Sequence, residues 1–452
     1  MNNNFTIYNI NNAFLRIEYL NKVILVDPWL TNRIFDNGWM TYPPVYNINK
    51  IINKTTDVLI SHIHQDHCDY NLIKYLDKSV NFYIPNIWPN QKIQLKLNSM
   101  GYKNIFLINV KENTLIADDL NLYVIPPMNE FGQETKDMQN VNTKGTPIDA
   151  GFLLHNNYNK ICIMADNSPY YFDNHLDVIE MCKNSDIVML PYNGYASDYP
   201  LNFINFSKEK RRELSDKQST NRMHLQSKFI KKINAKSTLM YSSEFAIAGP
   251  MAYDFFDIHP KKWMDKKMSA DEYMKHSNIE SHYLFNEDEM LIDTKGNISI
   301  KRNNFIIPNQ LDFAKSIYSE IPNTRFLFTP IKDLKNLTDN FYSASENLFE
   351  KMKNIGINSK SQLLINVTDV NKKYFIDFEK EICKEDIDVD ANMKLHIESN
   401  YLDALFNFRS HWDDAQISGN LLWEKYGEYD PTFDALINFF HIKLSGPPKI
   451  RL

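Results

Sequence analysis

The chain has 452 residues, of which 43% are hydrophobic, 13% aromatic and 23% charged, and its formal net charge is −6. This is the balance of a folded globular protein with enough apolar side chains for a large core. The mild negative charge excludes a nucleic-acid partner held by bulk positive charge. No stretch approaches the roughly 18 consecutive apolar residues that a membrane-spanning helix needs, so no membrane partner is expected.

The N-terminus and the cysteines predict the compartment. The first ten residues carry neither a basic flank nor a long apolar run, so they do not predict a signal peptide. The four cysteines, Cys68, Cys162, Cys182 and Cys383, form no Cys-x-x-Cys pair. Isolated thiols of this kind are typical of small core side chains in a reducing compartment. We therefore expect a cytoplasmic protein.

Residues 1–250 predict a layered α/β catalytic domain. Three short runs rich in β-branched and aromatic residues, Phe5–Ile10, Phe14–Tyr19 and Lys22–Val26, are separated by Asn-rich turns. A loop containing Trp and Pro follows, then a short apolar strand over Val58–Ser61 and a helix over Asn71–Asp77. Short strands and helices alternate from there to about residue 241, which is typical of an α/β protein.

Two further regions follow. Residues 251–334 are charged and rich in Met and Tyr, and they predict a helical, loop-rich connector that completes the catalytic domain. Residues 335–452 predict an α+β accessory module with enough apolar anchors for a small core of its own. Its predicted elements are a helix over Tyr342–Met352, strands over Gln362–Val367, Lys373–Phe378 and Met393–Glu398, and a helix over Tyr401–Phe408.

The order of elements in this module is similar to that of sterol-carrier-like domains, which some metallo-β-lactamase-fold sulfatases carry beside the catalytic domain. We expect the module to pack against the catalytic domain and to shape the substrate entrance or a subunit contact. We expect it to hold no metal. The alternative is a module that only packs.

The strongest chemical signal is the run SHIHQDH at residues 61–67, directly after the apolar strand. Imidazole and carboxylate groups are the usual ligands of zinc and of non-haem iron. His62 and His64 lie two residues apart and can point the same way. Asp66 and His67 follow in the next turn, where they can face a second ion about 3.5–4 Å from the first. We predict all four as metal ligands, and Asp66 as a catalytic carboxylate as well.

This run resembles the His-x-His-x-Asp-His signature of the metallo-β-lactamase superfamily, and the resemblance implies an αββα sandwich. It also implies that Asp166, in the run Met164–Ser168, bridges the metal ions. Asp27, at the end of the strand Lys22–Val26, is then expected to support the metal loop by hydrogen bonds. The alternative for Asp166 is a turn or helix-cap residue.

Parts of the chain are also similar to the catalytic portion of the CMP-N-acetylneuraminate hydroxylases. The similar stretches are Asp27–Leu30, Gly38-Trp39, Pro43-Pro44, Pro191–Ser197, Lys208–Arg212, Gly419–Trp423 and Phe440–Leu444. In that family a Rieske domain, whose cluster needs two cysteines and two histidines, precedes this portion. The sequence contains no such set, so we expect no iron–sulfur cluster in this chain. An oxygenase would then take electrons from a separate electron-transfer protein.

Two histidines of the superfamily pattern are missing. No histidine lies between His67 and His155, and Glu130, in the loop after Leu122–Ile125, is the candidate that replaces the first of them. The alternative for Glu130 is a solvated loop acid. Glu244 is the candidate for the second, because a carboxylate among small and apolar residues must be bonded or ligated.

The predicted site has three histidines and several carboxylates, and it leaves three functions open. The first, which we favour, is hydrolysis of a small anionic substrate, phosphorylated or sugar-nucleotide-like, by metal-activated water. The second is oxygenation at iron, and the third is binding without catalysis. One or two divalent transition-metal ions are expected, with zinc favoured over iron or manganese.

A cluster of cations is the candidate for binding the substrate's negative charge. It consists of Lys208, Lys210, Arg211 and Arg212, at the start of a predicted helix. The alternative is a solvated helix face. A homodimer is compatible with the sequence, which carries no motif that fixes the oligomeric state.

Overall fold

A computed structural model describes residues 3–128, 148–169, 171–192, 200–242, 244–247, 257–303 and 333–427, together with residues 255, 307, 309–310, 312–313, 315–316, 331, 430 and 432–443. The strands are β1 Phe5–Asn11, β2 Phe14–Tyr19, β3 Lys22–Val26, β4 Trp39–Thr41, β5 Asp57–Leu59, β6 Asn81–Pro85, β7 Ile105–Ile108, β8 Asn113–Leu115, β9 Asn121–Ile125, β10 Gly151–His155, β11 Lys160–Ile163, β12 Ile187–Pro191, β13 Ser237–Tyr241, β14 Phe245–Ile247, β15 Glu280–Tyr283, β16 Glu289–Ile292, β17 Ile298–Lys301, β18 Gln362–Val367, β19 Lys372–Asp377, β20 Ile382–Glu385, β21 Met393–Ile397 and β22 Leu422–Lys425. The helices are α1 Ile34–Asn37, α2 Ile48–Ile52, α3 Tyr70–Ile73, α4 Gln91–Ser99, α5 Leu176–Cys182, α6 Lys208–Lys232, α7 Lys261–Met264, α8 Lys266–Ser277, α9 Leu334–Ile355, α10 Ser399–Phe406, α11 Trp412–Ile417 and α12 Thr432–Ile437, with a 3-10 turn at Phe172–Asn174. Among the described helices, none combines the length and the apolar character needed to cross a membrane.

Two mixed sheets lie face to face. The first has eight strands in the order β17-β16-β1-β2-β3-β5-β6-β7, and the second has seven in the order β15-β13-β12-β11-β10-β9-β8. Their inner faces, represented by Ile17 of β2 and Phe152 of β10, share one buried core. Leu97 of α4 packs on the outer face of the first sheet, while Ile230 of α6 and Tyr273 of α8 pack on that of the second. The predicted αββα sandwich is confirmed.

The strands that lead to the metal motif follow the sequence pattern closely. β2 and β3 have the predicted bounds, and β5 ends at Leu59, two residues before the predicted end of its strand. β3 and β5 are parallel neighbours, with Val26 opposite Leu59. The residues that follow these two strands therefore emerge at the same edge of the sheet, and Asp27 lies beside the motif.

Residues 251–334 contribute more to the fold than a connector. They include the expected helices α7 and α8, but β15 also pairs with β13 at the edge of the second sheet. β16 pairs with β1 and β17 with β16, so both extend the first sheet. These strands were not predicted because each has only four residues, too few for a reliable period, and β15 is mostly polar.

The C-terminal residues form a third sheet with its own core. Its strand order is β20-β19-β18-β21-β22, in which β18 and β21 are parallel. The three predicted strands are present as β18, β19 and β21, whereas β20 and β22 were not predicted. Phe341 of α9 and Leu402 of α10 pack with Ile365 of β18 in the core of this module.

The module is attached to the catalytic domain through residues 202–205, which pair with β22, and through the short segment around α1. Asp36 accepts hydrogen bonds from Tyr401 Oη at 2.9 Å and from Ser410 Oγ, and Trp39 Nε1 donates to the Ile417 carbonyl at 2.9 Å. Gly38 lies so close to Ser418 that an added Cβ would approach the Ser418 carbonyl oxygen to 2.4 Å. The C-terminal module can therefore dock in this position only because residue 38 has no side chain.

Replacing Gly38 by alanine should destabilise the protein, because the new methyl group overlaps backbone atoms of Ser418 that cannot move independently. We expect a loss of about 1–3 kcal/mol in the free energy of unfolding, as for an overpacked contact. Chemical denaturation of the variant measures this loss, with Arg33→Ala as an exposed neighbouring control. Wild-type stability of the Gly38→Ala variant would show that the contact is not tight in solution.

Candidate metal centre

The buried carboxylate of Asp27 organises the metal motif. It accepts hydrogen bonds from the Ser61 backbone N–H at 2.7 Å and from Ser61 Oγ at 2.7 Å, and it lies 2.8 Å from His67 Nδ1. Asp27, Ser61 and His67 are all fully buried. This is the supporting position that the sequence predicts for Asp27. With Nδ1 fixed in this way, His67 presents Nε2 to the centre.

In each of the other two histidines, an oxygen atom likewise holds one ring nitrogen and leaves the other facing the centre. His62 Nδ1 lies 2.9 Å from Ser61 Oγ, which leaves its Nε2 facing inward. His64 is turned the other way: its Nδ1 lies 2.9 Å from His62 Nε2, and its Nε2 lies 3.5 Å from Asp413 Oδ2. Each ring therefore has one nitrogen at the centre and the other held by an oxygen, as metal-ligating imidazoles usually do.

The inward-facing atoms form two overlapping groups that could hold an ion. One group is His62, His64 and Asp149, and the other is His62, His67 and Asp166; within each, the ligand atoms lie within 4.8 Å of one another. Because one imidazole nitrogen binds one ion, His62 can complete only one group at a time. Asp66 lies beside the second group, with its Oδ2 3.3 Å from His67 Nε2.

The predicted ligands around His67 are held by contacts of their own. Asp166 Oδ2 lies 3.3 Å from His67 Nε2, and the preceding residue, Ala165, donates its backbone N–H to Tyr241 Oη at 2.7 Å. Asp66 Oδ2 accepts a hydrogen bond from Asn12 Nδ2 at 3.1 Å. The structure thus brings His62, His64, Asp66, His67 and Asp166 together.

The electrostatics of the centre without an ion fit a cation site. Burial and the neighbouring rings of His67 and His64 lower the pKa of His62 well below its usual value. Burial also opposes protonation of His67, but Asp66, Asp166 and Asp27 outweigh it and raise its pKa well above the usual range. His67 Nε2 is buried and makes no well-formed hydrogen bond, although Asp66 Oδ2 and Asp166 Oδ2 each lie 3.3 Å away. Two inward-facing carboxylates around such a ring nitrogen are what a metal cation would satisfy.

His64 is the partly exposed member of the set, with 24% of its side chain accessible. Burial alone would lower its pKa, but the hydrogen bond and charge of Asp413, with Asp149 adding to them, raise it to about 9. The attraction between histidine and carboxylate also lowers the pKa of Asp166. Burial alone would raise the pKa of this carboxyl, but His67 lowers it below its usual value. The open side of the centre is therefore lined by His64, Asp149 and Asp166, whose side chains are all partly exposed.

The remaining predicted site residues lie elsewhere or are not described. Glu130 falls outside the described residues. Glu244 is buried against Lys266 in an ion pair of 2.5 Å, which supplies the bonding partner that a carboxylate in that environment requires. The Glu244 backbone N–H donates to Asn12 Oδ1 at 3.2 Å, and Asn12 Nδ2 in turn donates to Asp66 Oδ2. The Asn12 side chain therefore links Glu244 to Asp66 by hydrogen bonds.

The predicted cation cluster is engaged within the fold. Lys208 pairs with Asp257, and Lys210 pairs with Glu213 one turn along α6, both at 3.1 Å. Arg211 is buried and donates to the Leu201 carbonyl, while Arg212 donates to the Asp257 carbonyl. A different cation of the same helix, Arg222, is close enough to Asp166 to help lower that carboxyl's pKa.

Sequence analysis missed Asp149, Arg222 and Asp413. Asp149 precedes β10, whose first residue, Gly151, pairs with Ile125 at the end of β9. Asp149 therefore returns to the edge where the missing superfamily histidine was expected, 3.6 Å from His62 Nε2. Recognising β9 and β10 as an antiparallel pair would have pointed to it. Nothing local in the sequence connects Asp413 with His64, which is 349 positions away.

Metal binding at this centre should release protons at neutral pH. The raised pKa values of His64 and His67 favour the protonated rings without an ion, and each ring must lose that proton to become a ligand. We expect about one to two protons released per ion, and an apparent Zn²⁺ affinity that increases from pH 6 to pH 8. Calorimetry in buffers with different ionisation enthalpies measures the release. Equal affinity at both pH values, with no proton released, would contradict this assignment.

No family model matches the chain. A curated relative, cytidine monophosphate-N-acetylneuraminic acid hydroxylase of Danio rerio, is 23% identical over 296 residues, which cover 61% of this chain and 41% of the relative. The chain thus spans about two fifths of the length of that relative.

The chain is also similar to a number of solved structures, among them the following two metalloenzymes. A metallo-hydrolase from Ignicoccus hospitalis shares 14% identity, covering 67% of this chain and 100% of that one, with a TM-score of 0.40. The diiron β-hydroxylase CmlA from Streptomyces venezuelae shares 12% identity, covering 64% of this chain and 54% of that one, with a TM-score of 0.40. The strand order, the helices on both outer faces and the His motif after β5 define the fold of this chain: it is the metallo-β-lactamase fold.

Proposed function

We propose that the chain is a metal-dependent hydrolase that acts on a small anionic substrate. The observation that carries the proposal is the common arrangement of the three motif histidines. His62, His64 and His67 each turn one ring nitrogen towards a shared centre while an oxygen atom holds the other nitrogen. A set of ring nitrogens oriented in this way, beside carboxylates, has the donor chemistry of zinc, iron or manganese sites.

The proposed ligands are His62, His64 and Asp149 for one ion, and Asp66, His67 and Asp166 for a second. A divalent transition metal bound there would supply Lewis-acid activation of water and of an anionic group on the substrate. Asp66, held by Asn12, is proposed to accept the proton that the attacking water loses. Asp27 and Ser61 keep the rings in the required tautomers.

The anionic character of the substrate is the next part of the proposal. Arg222 acts electrostatically on Asp166, whose carboxylate is partly exposed, and we propose that this cation helps to neutralise a phosphate or carboxylate of the substrate there. Binding by Lys208 or Lys210 would require their pairs with Asp257 and Glu213 to open. The relative's name gives a sugar nucleotide as its substrate, and we propose a phosphorylated or sugar-nucleotide-like molecule here.

The alternative function is oxygenation by iron, with electrons from a separate protein. The group Asp66, His67 and Asp166 supports this alternative because it is richer in carboxylate than in imidazole, a balance that suits iron or manganese. The named activity of the curated relative, a hydroxylase, supports it as well. A third candidate, a degenerate fold used for binding without catalysis, predicts a purified protein that contains no transition metal.

Purified protein should contain one or two transition-metal ions per chain. Replacing both His62 and His64 by alanine should remove the ion that they hold, because Asp149 is then the single donor left in that group. Elemental analysis of the two proteins checks this expectation. The matched control is His276→Ala, which removes an exposed histidine paired with Glu272. Unchanged metal content in the double variant would refute the proposed centre.

The identity of the metal and the requirement for oxygen then separate the candidate functions. Hydrolysis predicts turnover of phosphodiester or sugar-nucleotide substrates under anaerobic conditions with zinc or manganese bound. Oxygenation predicts iron and turnover only with oxygen and an added reductant system. Anaerobic hydrolysis by the loaded enzyme supports the proposal, whereas strict dependence on iron and oxygen supports the alternative.

A further inference from the structure

The C-terminal module contacts the metal motif directly. α11 places two consecutive carboxylates against two consecutive motif residues. Asp413 Oδ2 lies 3.5 Å from His64 Nε2, and Asp414 Oδ2 accepts a hydrogen bond from Gln65 Nε2 at 3.3 Å. The first contact involves the ring nitrogen of His64 that faces away from the centre.

The segment that carries these acids is fixed on both sides. Gln65 Oε1 accepts a hydrogen bond from the Phe35 backbone N–H at 3.1 Å, so Gln65 joins α1, the metal motif and α11. At the other end of α11, the Ile417 carbonyl accepts from Trp39 Nε1. The position of Asp413 therefore depends on the docking of α11 against the catalytic domain at both of its ends.

We propose that the C-terminal module completes the metal centre, with Asp413 as the positioning residue for His64. This inference rests on the proposed metal-dependent function. Asp413 holds the Nε2–H of His64, which leaves the lone pair of Nδ1 directed at the ion beside His62 Nε2. A carboxylate in this position fixes the tautomer and the ring orientation and increases the basicity of the ligating nitrogen.

The way in which the other two motif histidines are held supports the role proposed for Asp413. Ser61 and Asp27, both in the catalytic sheets, hold His62 and His67. Asp413 gives His64 the equivalent support from a helix of the C-terminal module, 349 positions further along the chain. Asp413 binds no ion in this arrangement, because the nitrogen it contacts is the one opposite the ligating atom. The module thus affects metal affinity without supplying a ligand.

The test compares Co²⁺ binding by the full chain and three variants. Asp413→Ala removes the contact, and Asp413→Asn keeps the shape and an acceptor oxygen but removes the charge. Asp388→Ala is the matched control, since Asp388 is an 81% exposed acid of the same module that pairs with Lys373. Chelator competition gives the Co²⁺ affinity, visible absorption reports the ligand geometry, and thermal unfolding of the metal-free proteins reports their stability.

We expect Asp413→Ala to weaken Co²⁺ binding by about 10- to 100-fold, with a changed Co²⁺ absorption band. The metal-free variant should still unfold cooperatively, at an unfolding temperature lowered only by the loss of the His64–Asp413 contact. Asp413→Asn should lose less affinity, and Asp388→Ala none. Wild-type Co²⁺ affinity in Asp413→Ala would overturn this inference alone. If Asp413→Ala does not fold, wild-type affinity in Asp413→Asn would overturn it equally. Absence of Co²⁺ binding by the wild-type protein would instead refute the proposed function and this inference with it.

Discussion

The metal centre depends on one buried carboxylate, that of Asp27. A carboxylate that is fully buried must be matched by donors, and Ser61 and His67 provide three contacts between them. In satisfying Asp27, these donors fix the start of the motif and its last histidine relative to the sheet. The loop between them then has little freedom, so His62 and His64 are presented to the same centre.

Backbone conformation shows how closely the surroundings define this centre. Four non-glycine residues next to it have positive φ: Asn12 at 42°, Asp27 at 47°, Ala165 at 48° and Ser242 at 67°. Such residues persist only where surrounding contacts determine them, and they concentrate at functional sites. Here the contacts are known: the Ala165 N–H bonds to Tyr241 Oη, and the Ser242 N–H bonds to the Asn12 carbonyl. The turn at Ala165 directs Asp166 from the end of β11 towards His67.

The sequence predicted those features that depend on neighbouring residues. The run at residues 61–67 and the strands that precede it are local patterns, and the parallel pairing of β3 and β5 is enough to bring Asp27 to the motif. Asp149 and Asp413 were missed because their positions depend on pairing and docking between distant segments. For Glu244, the sequence indicated that a buried carboxylate needs a bonding partner, but it did not indicate that this partner is Lys266. A buried carboxylate indicates that a partner exists without saying whether it is a metal ion or a lysine.

Anomalous X-ray scattering from crystals grown with Zn²⁺, or with Fe²⁺ under anaerobic conditions, tests the central claim most directly. We predict one or two peaks at the corresponding absorption edge, one beside the inward-facing nitrogens of His62 and His64 and the other beside that of His67. Asp149 or Asp166 should complete the coordination, and Asp413 should lie beyond the ring of His64. A metal-soaked crystal with no peak at these atoms, and with His67 Nε2 hydrogen-bonded to a protein group instead, would contradict it.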